Sequence, residues 1–297
     1  MAIPEARKPV DTTVPERRAY TSARAAAARE RDDARVRQVE NLRAAASVSI
    51  PNEDGYAVAP PHGVPGADAV VAETNALLEA LGEQRLTSGK LKAGSMAKKL
   101  LPQEAFELDS PYMRFALSEA VVGPISVYLG LVPILNQIDV WYSSPARDEP
   151  RSSQLWHLDH ADTIQIKVFL YCSDVGADSG PLTILSASVS DALAERIGYD
   201  YGDAYRVSDD TVRETAGADG EIALTAPAGS VAFVDTSRCF HFGSRVAPGA
   251  PARRVFVAQY LTPYAFRYDG DHRDEATYRG LAGTGSSELE RLLLGAA

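Results

Sequence analysis

The segment Trp156-His157-Leu158-Asp159 carries two side chains that ligate metals. A third follows 82 residues after Asp159, in Cys239-Phe240-His241-Phe242-Gly243-Ser244. In an extended chain, residues two apart point to the same side, so His157 and Asp159 can face one ion while Leu158 faces away. His241, arriving from a distant strand, would complete a face of two imidazoles and one carboxylate. Such a face leaves coordination positions open and is the arrangement of non-haem Fe(II) oxygenases. No thiolate belongs to the set, which suits iron rather than a softer metal site. A His-x-Asp triplet is common by chance, and Arg253 gives this one its weight, twelve residues after His241 at the start of a β-rich run. A guanidinium there can grip the distal carboxylate of 2-oxoglutarate with two parallel hydrogen bonds, a geometry lysine cannot imitate.

The elements that must position these residues change in texture near residue 132. Before it, helix signals dominate: an Ala/Arg-rich segment over 16–46, then Ala67 to Leu81 with Gly82 as its stop. A further helix is announced by Ser110 as N-cap and Pro111 at the first helical position; it runs past Ala120 and is interrupted at Gly123-Pro124. The Pro/Gly-rich joint over 60–66 cannot continue a helix. After residue 132 come short runs rich in β-branched and aromatic residues: Ile134 to Tyr142, Thr163 to Tyr171, Leu182 to Leu185, Ser230 to Val234 and Arg254 to Leu261. Many short strands between turn signals predict a mainly β protein with flanking helices, its core a double-stranded β-helix, or jelly roll, of cupin-like form.

The expected organisation is one structural domain: a helical region over 1–131, a catalytic core over 132–265, and a C-terminal helical extension over 266–297. The core contains a lid-like insertion over 188–220. In it, Ser188 and Asp191 read as a capping box for a helix ending near Gly198, and Ser208 caps a second helix ending before Gly217. A loop of this length in a compact domain is usually functional.

Composition narrows the function. With 297 residues and 45% hydrophobic content the chain can bury a substantial core. A net charge of -10 argues against nucleic acid, whose phosphates need a basic face. No apolar run is long enough for a membrane span or a signal peptide, and the acids within 16–46 argue against a transit peptide, so no membrane partner is expected. Two isolated cysteines, Cys172 and Cys239, suggest neither a disulfide framework nor a zinc site and fit a reducing cytoplasm. A small-molecule substrate is the partner that remains. No heptad seam indicates an oligomeric state.

Across roughly 132–262 the sequence resembles the phytanoyl-CoA dioxygenase-like family of Fe(II)/2-oxoglutarate oxygenases. The resemblance is carried by Trp156-His157-Leu158-Asp159, the strand Ile166 to Tyr171, the turn from Asp174 to Gly180-Pro181-Leu182, and Val234 through Ser244. It implies iron ligation by His157, Asp159 and His241, and 2-oxoglutarate anchoring by Arg253 with help from the Ser244 hydroxyl, with O2 as second cosubstrate. In place of the family's frequent Pro-Gly-Ser-His after the Gly-Pro strand stands Leu185-Ser186-Ala187-Ser188, which blurs inference about the substrate. Strand alternation leaves open whether Arg253 or Arg254 points inward; the resemblance, which implies an arginine nine residues after Ser244, favours Arg253. Gln137 and Lys167 lie on strands expected to line the same cavity and are candidates for cosubstrate contact. Phe169 and Tyr171 share a face with Lys167. His160 is expected to face away from His157, Trp156 to be a packing anchor, Asp162 and Asp235 to sit in turns, 199–203 to form a surface turn, and His62 and His272 to be solvated.

The resemblance implies oxidation of a small molecule, in secondary metabolism among other settings, with release of succinate and CO2. Relatives that halogenate have a small residue in place of the carboxylate, so Asp159 points to a hydroxylase or a related oxidative catalyst. Two rivals stand beside this reading. A cupin-type dioxygenase without 2-oxoglutarate would keep the triad but have no need of Arg253, and a non-catalytic ligand-binding β-sandwich would need neither.

Overall fold

The computed structural model describes residues 14–28, 32–87, 97–101, 106–145, 149–200, 205–217, 220–265 and 276–296. His272 and residues 201–203 therefore lie outside the described residues.

Among the described residues, nine strands form two sheets. The larger, all antiparallel, contains β1 (Tyr56–Ala59), β2 (Lys98–Lys99), β3 (Ile134–Ser143), β4 (Gln165–Tyr171), β7 (Val231–Asp235) and β9 (Arg253–Leu261), in the order β1-β7-β4-β9-β3-β2. The smaller runs β6-β5-β8, from β5 (Leu182–Ile184), β6 (Ile222–Leu224) and β8 (His241–Phe242). Alternation along β4 shows why these runs become strands. Ile166, Val168 and Leu170 enter the core under the helices, while Phe169 and Tyr171 join Leu182, Ile184, Val234 and Val255 between the two sheets. A strand apolar on both faces can only be stable with a layer on each side.

The helices cover the outer face of the larger sheet. They comprise α2 (Asp33–Arg43), α3 (Ala67–Thr87), α4 (Pro111–Ala116), α5 (Glu119–Leu129) and α8 (Glu288–Leu293), whereas α1 (Val14–Ala28) is held elsewhere, Arg17 donating to the His160 carbonyl and Arg24 to the carbonyls of Tyr264 and Ala265. The expected helix over 16–46 is two, α1 and α2. Gly82 does end a helical stretch, at φ 70°, although α3 resumes beyond it. Ser110 caps α4 through its hydroxyl, which accepts from the Met113 N–H at 3.3 Å, with Pro111 at the first position.

The break expected at Gly123-Pro124 falls instead at Leu117-Ser118, and both residues lie inside α5. Pro124 cannot bond the Ala120 carbonyl, and the Ser47 hydroxyl donates to that carbonyl at 2.8 Å in its stead. Gly123 is needed because a Cβ there would lie 2.8 Å from the Leu42 carbonyl oxygen on α2. The expected helical character of 1–131 is also incomplete, since β1 and β2 supply both edges of the larger sheet. Four and two residues long, they are too short to carry a period-two pattern.

The insertion holds α6 (Ala187–Ile197) and α7 (Asp209–Ala216). The cap of α6 is Ser186, not Ser188, accepting from Val189 N–H; Gly198, Ser208 and Gly217 end and cap the helices as expected. Both cysteines are buried free thiols. Among the described residues no helix is long and apolar enough to cross a membrane.

Candidate metal centre and cosubstrate pocket

His157 and His241 sit opposite each other on neighbouring backbones. Each donates its N–H to the other's carbonyl at 3.1 Å, which brings the rings to 4.3 Å between centroids, tilted by 43°. Asp159 joins them because its N–H is held by the Thr236 carbonyl at 2.8 Å. One ligand atom from each of the three lies within 4.8 Å of the others, with His157 Nε2 at 4.0 Å and His241 Nε2 at 3.8 Å from the Asp159 carboxylate.

The donor chemistry suits a divalent metal. Each imidazole commits Nδ1 to a carbonyl, His157 to Leu155 at 2.8 Å and His241 to Cys239 at 3.0 Å. A carbonyl only accepts, so Nδ1 carries the proton and Nε2 presents a lone pair toward Asp159. Burial pushes the His157 pKa down to about 3, with His241 adding to the shift, and burial likewise lowers His241. Burial alone would raise the Asp159 carboxyl; the Lys167 ammonium and the two histidines outweigh it and hold the group well below the usual carboxylate range. Two neutral imidazoles and one ionised carboxylate are the protonation states a metal requires.

Lys167 reaches this centre, with its ammonium 2.6 Å from Asp159 Oδ2. Gln165 was not singled out in the sequence, yet its amide donates to the same oxygen at 3.0 Å and to the Thr236 hydroxyl at 2.9 Å. It stands two residues before Lys167, and that period-two spacing on β4 was the available signal.

Arg253 lies on the same cavity, 3% exposed, and burial lowers its pKa to about 10. Its Nη1 donates to the Gly180 carbonyl and its Nη2 to the Ser244 hydroxyl, both at 2.8 Å, while Nε is buried without a partner. No carboxylate among the described residues pairs with it. Ser244 adopts φ 64° and is pinned there: its N–H donates to the Gly180 carbonyl, its carbonyl accepts from Gln154, and its hydroxyl meets that of Ser143 at 3.0 Å. Gly180 permits this approach, since a Cβ on it would lie 2.8 Å from the Arg245 backbone nitrogen. Arg254 points outward to Asn75, which settles the choice that alternation left open.

A cavity of about 240 Å³ is lined by the triad, Lys167, Ser244 and Arg253, together with Trp141, Phe169, His160, Tyr205 and Arg206. Gln137 is not brought to it. It pairs in register with Gln259, which pairs with Lys167, so it stands two strands, roughly 10 Å, from Lys167. Tyr171 also stays outside, its hydroxyl donating to the Leu224 carbonyl. His160, expected to face away, lines the cavity; residues 158–160 belong to no paired strand, so strand alternation does not govern its direction. Tyr199 is no surface turn residue: it is buried, donating to the Tyr205 carbonyl and accepting from Leu158 N–H. Trp156 packs edge-on against Phe242, and Asp162 and Asp235 accept structural hydrogen bonds, from Thr262 and from Ser237 and Tyr128 respectively.

The sequence matches no family model and no curated protein. Solved structures do resemble it. The epimerase SnoN in complex with Fe3+, alpha ketoglutarate and nogalamycin RO superposes with a TM-score of 0.53 at 17% identity, over 76% of this chain and 84% of that one. The carbocyclase SnoK from nogalamycin biosynthesis gives 0.49 at 16% identity over 75% and 85%, and EctD from S. alaskensis 0.49 at 17% over 73% and 78%. At such identity the likeness is one of fold: the chain is a mainly antiparallel β protein with flanking helices and shares the jelly-roll architecture of SnoN, a non-haem iron, 2-oxoglutarate-dependent enzyme.

Proposed function

We propose that this chain is an Fe(II)/2-oxoglutarate-dependent oxygenase of the phytanoyl-CoA dioxygenase-like kind, acting on a small molecule. The observation that carries the reading is Arg253: a buried guanidinium with which no carboxylate among the described residues pairs, on the same cavity as the His157, Asp159 and His241 cluster. A buried charge is costly unless paired, so the pocket calls for an anion, and a cosubstrate dicarboxylate supplies one. The cupin-type rival explains the triad but leaves this arginine without purpose. The fold shared with SnoN, which was solved with Fe3+ and alpha ketoglutarate, supports the same assignment.

In this reading His157 and His241, each through Nε2, and the Asp159 carboxylate would hold the metal. Arg253 and the Ser244 hydroxyl receive the distal carboxylate of 2-oxoglutarate and set its direction toward the triad. Gln165 and Lys167 donate to Asp159 Oδ2, which fixes the carboxylate plane and leaves Oδ1 for the metal. Trp141 and Phe169, packed edge to face at 6.4 Å, provide an apolar wall that limits water near the reacting groups. When bound, iron with 2-oxoglutarate and O2 supplies the oxidising power, yielding succinate, CO2 and oxidised substrate. The partition into 1–131, 132–265 and 266–297 as one domain, and residence in a reducing cytoplasm, belong to the same proposal.

Adding Fe(II) and then 2-oxoglutarate to metal-free protein without oxygen tests this. A saturable visible charge-transfer band is expected, lost in His157→Ala and shifted to much higher 2-oxoglutarate, on the order of 100-fold, in Arg253→Ala. Iron binding without a band would favour the cupin-type enzyme, and no iron binding the non-catalytic sandwich.

A further inference from the structure

Among the described residues lining the cavity there are three cations, Lys167, Arg206 and Arg253, against one carboxylate, Asp159. This local excess of positive charge stands in a chain of net charge -10. The oxygenase reading, on which this inference rests, does not remove it: Fe(II) brings two positive charges, 2-oxoglutarate two negative ones. Lys167 is neutralised by Asp159 at 2.6 Å, and Arg253 is assigned to the cosubstrate. Arg206 remains.

Its position is fixed by backbone as well as side chain. Val207, the next residue, donates its N–H to the Trp156 carbonyl at 2.8 Å, so the lid is stitched to the segment carrying His157. The Arg206 guanidinium lies over the Tyr205 ring, 4.6 Å from its centroid, donating through Nη1 to the Ser152 carbonyl and through Nη2 to the Tyr205 hydroxyl, both at 2.6 Å. These bonds use two of the five N–H donors of an arginine. No carboxylate among the described residues pairs with it. A half-buried, pre-oriented cation with spare donors, set at the lid side of a reaction cavity, is built to receive an anion from outside the chain.

We propose that Arg206 anchors the primary substrate, and that this substrate is a small acid whose carboxylate or phosphate group docks on the Arg206 guanidinium while its reacting carbon faces the triad. The Tyr205 ring beneath the guanidinium and His160 beside it, 5.9 Å from Tyr205 between centroids, shape the entrance. A cavity of about 240 Å³, part of which the cosubstrate takes, restricts the inserted portion to a compact group.

The test uses protein loaded with Zn(II), which does not react with oxygen, and 2-oxoglutarate. Small aliphatic and aromatic carboxylates are each compared with the corresponding amide, and phosphate monoesters with the corresponding alcohol, by ligand-observed NMR. Wild type is expected to bind the acids of at least one pair class about tenfold more tightly than their neutral partners, the value of one charge-assisted contact. That preference should shrink to about twofold or less in Arg206→Gln and return in part in Arg206→Lys. Equal binding of acid and neutral partner, absence of acid binding, or a preference that survives Arg206→Gln would overturn the proposal. The 2-oxoglutarate affinity is measured on the same samples. Its loss in Arg206→Gln alone would move this residue to the cosubstrate and overturn the substrate assignment, whereas failure of wild type to bind 2-oxoglutarate would sink the oxygenase reading itself.

Discussion

The floor of the cavity and the segment proposed as its lid, carrying α6 and α7, are held by different means. On the floor, Lys167 and Arg253 are carried by long central strands, and His157 and His241 face each other across a backbone bridge. Their directions follow from strand register, and the register is enforced by apolar faces on both sides. The lid instead rests on a small satellite core, in which Leu193 of α6 and Val212 of α7 meet Trp156, Leu158 and Phe242. Side-chain clamps complete it: Arg245 grips Asp209 with two bonds of 2.7 and 2.8 Å, stacks over Phe242 and donates to the Gln154 carbonyl at 2.7 Å. The floor is thus held by long paired strands, and the segment above it by a small apolar cluster and one ion pair.

Gln165→Leu is the sharpest probe of the floor. The Gln165 Oε1 is buried without a partner, so leucine removes only the donors that orient Asp159 and Thr236. Metal affinity should fall on the order of tenfold, read by Co(II) titration, while the unfolding midpoint stays near wild type. Unchanged affinity would mean that Lys167 and the backbone already fix the carboxylate.

A second floor prediction concerns pH. Burial raises the Asp162 pKa from 3.8 to about 7 against the opposing bonds from Thr262 and Thr163. A carboxyl raised on folding contributes stability that is full below pH 3.8 and is lost as pH rises through 7, by at most about 1.4 kcal/mol per pH unit. Asp235, raised by burial to about 6, acts in the same direction. The wild-type unfolding midpoint should therefore fall more steeply between pH 5 and 7 than that of Asp162→Asn; parallel slopes would refute the assignment.

The smallest effect belongs to the lid. Asp209→Ala breaks a partly exposed pair and should cost about 1 kcal/mol or less. Its signature is local: faster proteolysis within 198–217, with hydrogen exchange on β4 and β9 unaltered. Equal loosening of both regions would show that lid and floor form one cooperative unit and would erase the contrast between them.

The cluster of His157, Asp159 and His241 was legible because two of its members obey the simplest rule of extended chain, alternation, and because few side-chain types can serve as ligands to a divalent metal. Arg253 stood out because it opens a β-rich run twelve residues after His241, and the family resemblance favoured it over Arg254 by its distance from Ser244. Gln137 misled because a shared strand face says nothing of which row meets the cavity, and the row is decided by pairing through β9. His160 and Tyr199 were misjudged where the chain leaves regular geometry, so that no period governs direction. Sequence by itself determined the fold class, the nature of the donor set and the caps at Ser110, Ser208 and Gly198, all of which rest on short-range sterics and hydrogen bonding. Only the tertiary structure decided that β1 and β2 close the sheet from the N-terminal region, that Gln165 and Lys167 share one oxygen of Asp159, and that Arg206 reaches the cavity with no carboxylate paired to it among the described residues. Those outcomes depend on contacts between residues far apart in the chain, and local patterns carry no record of them.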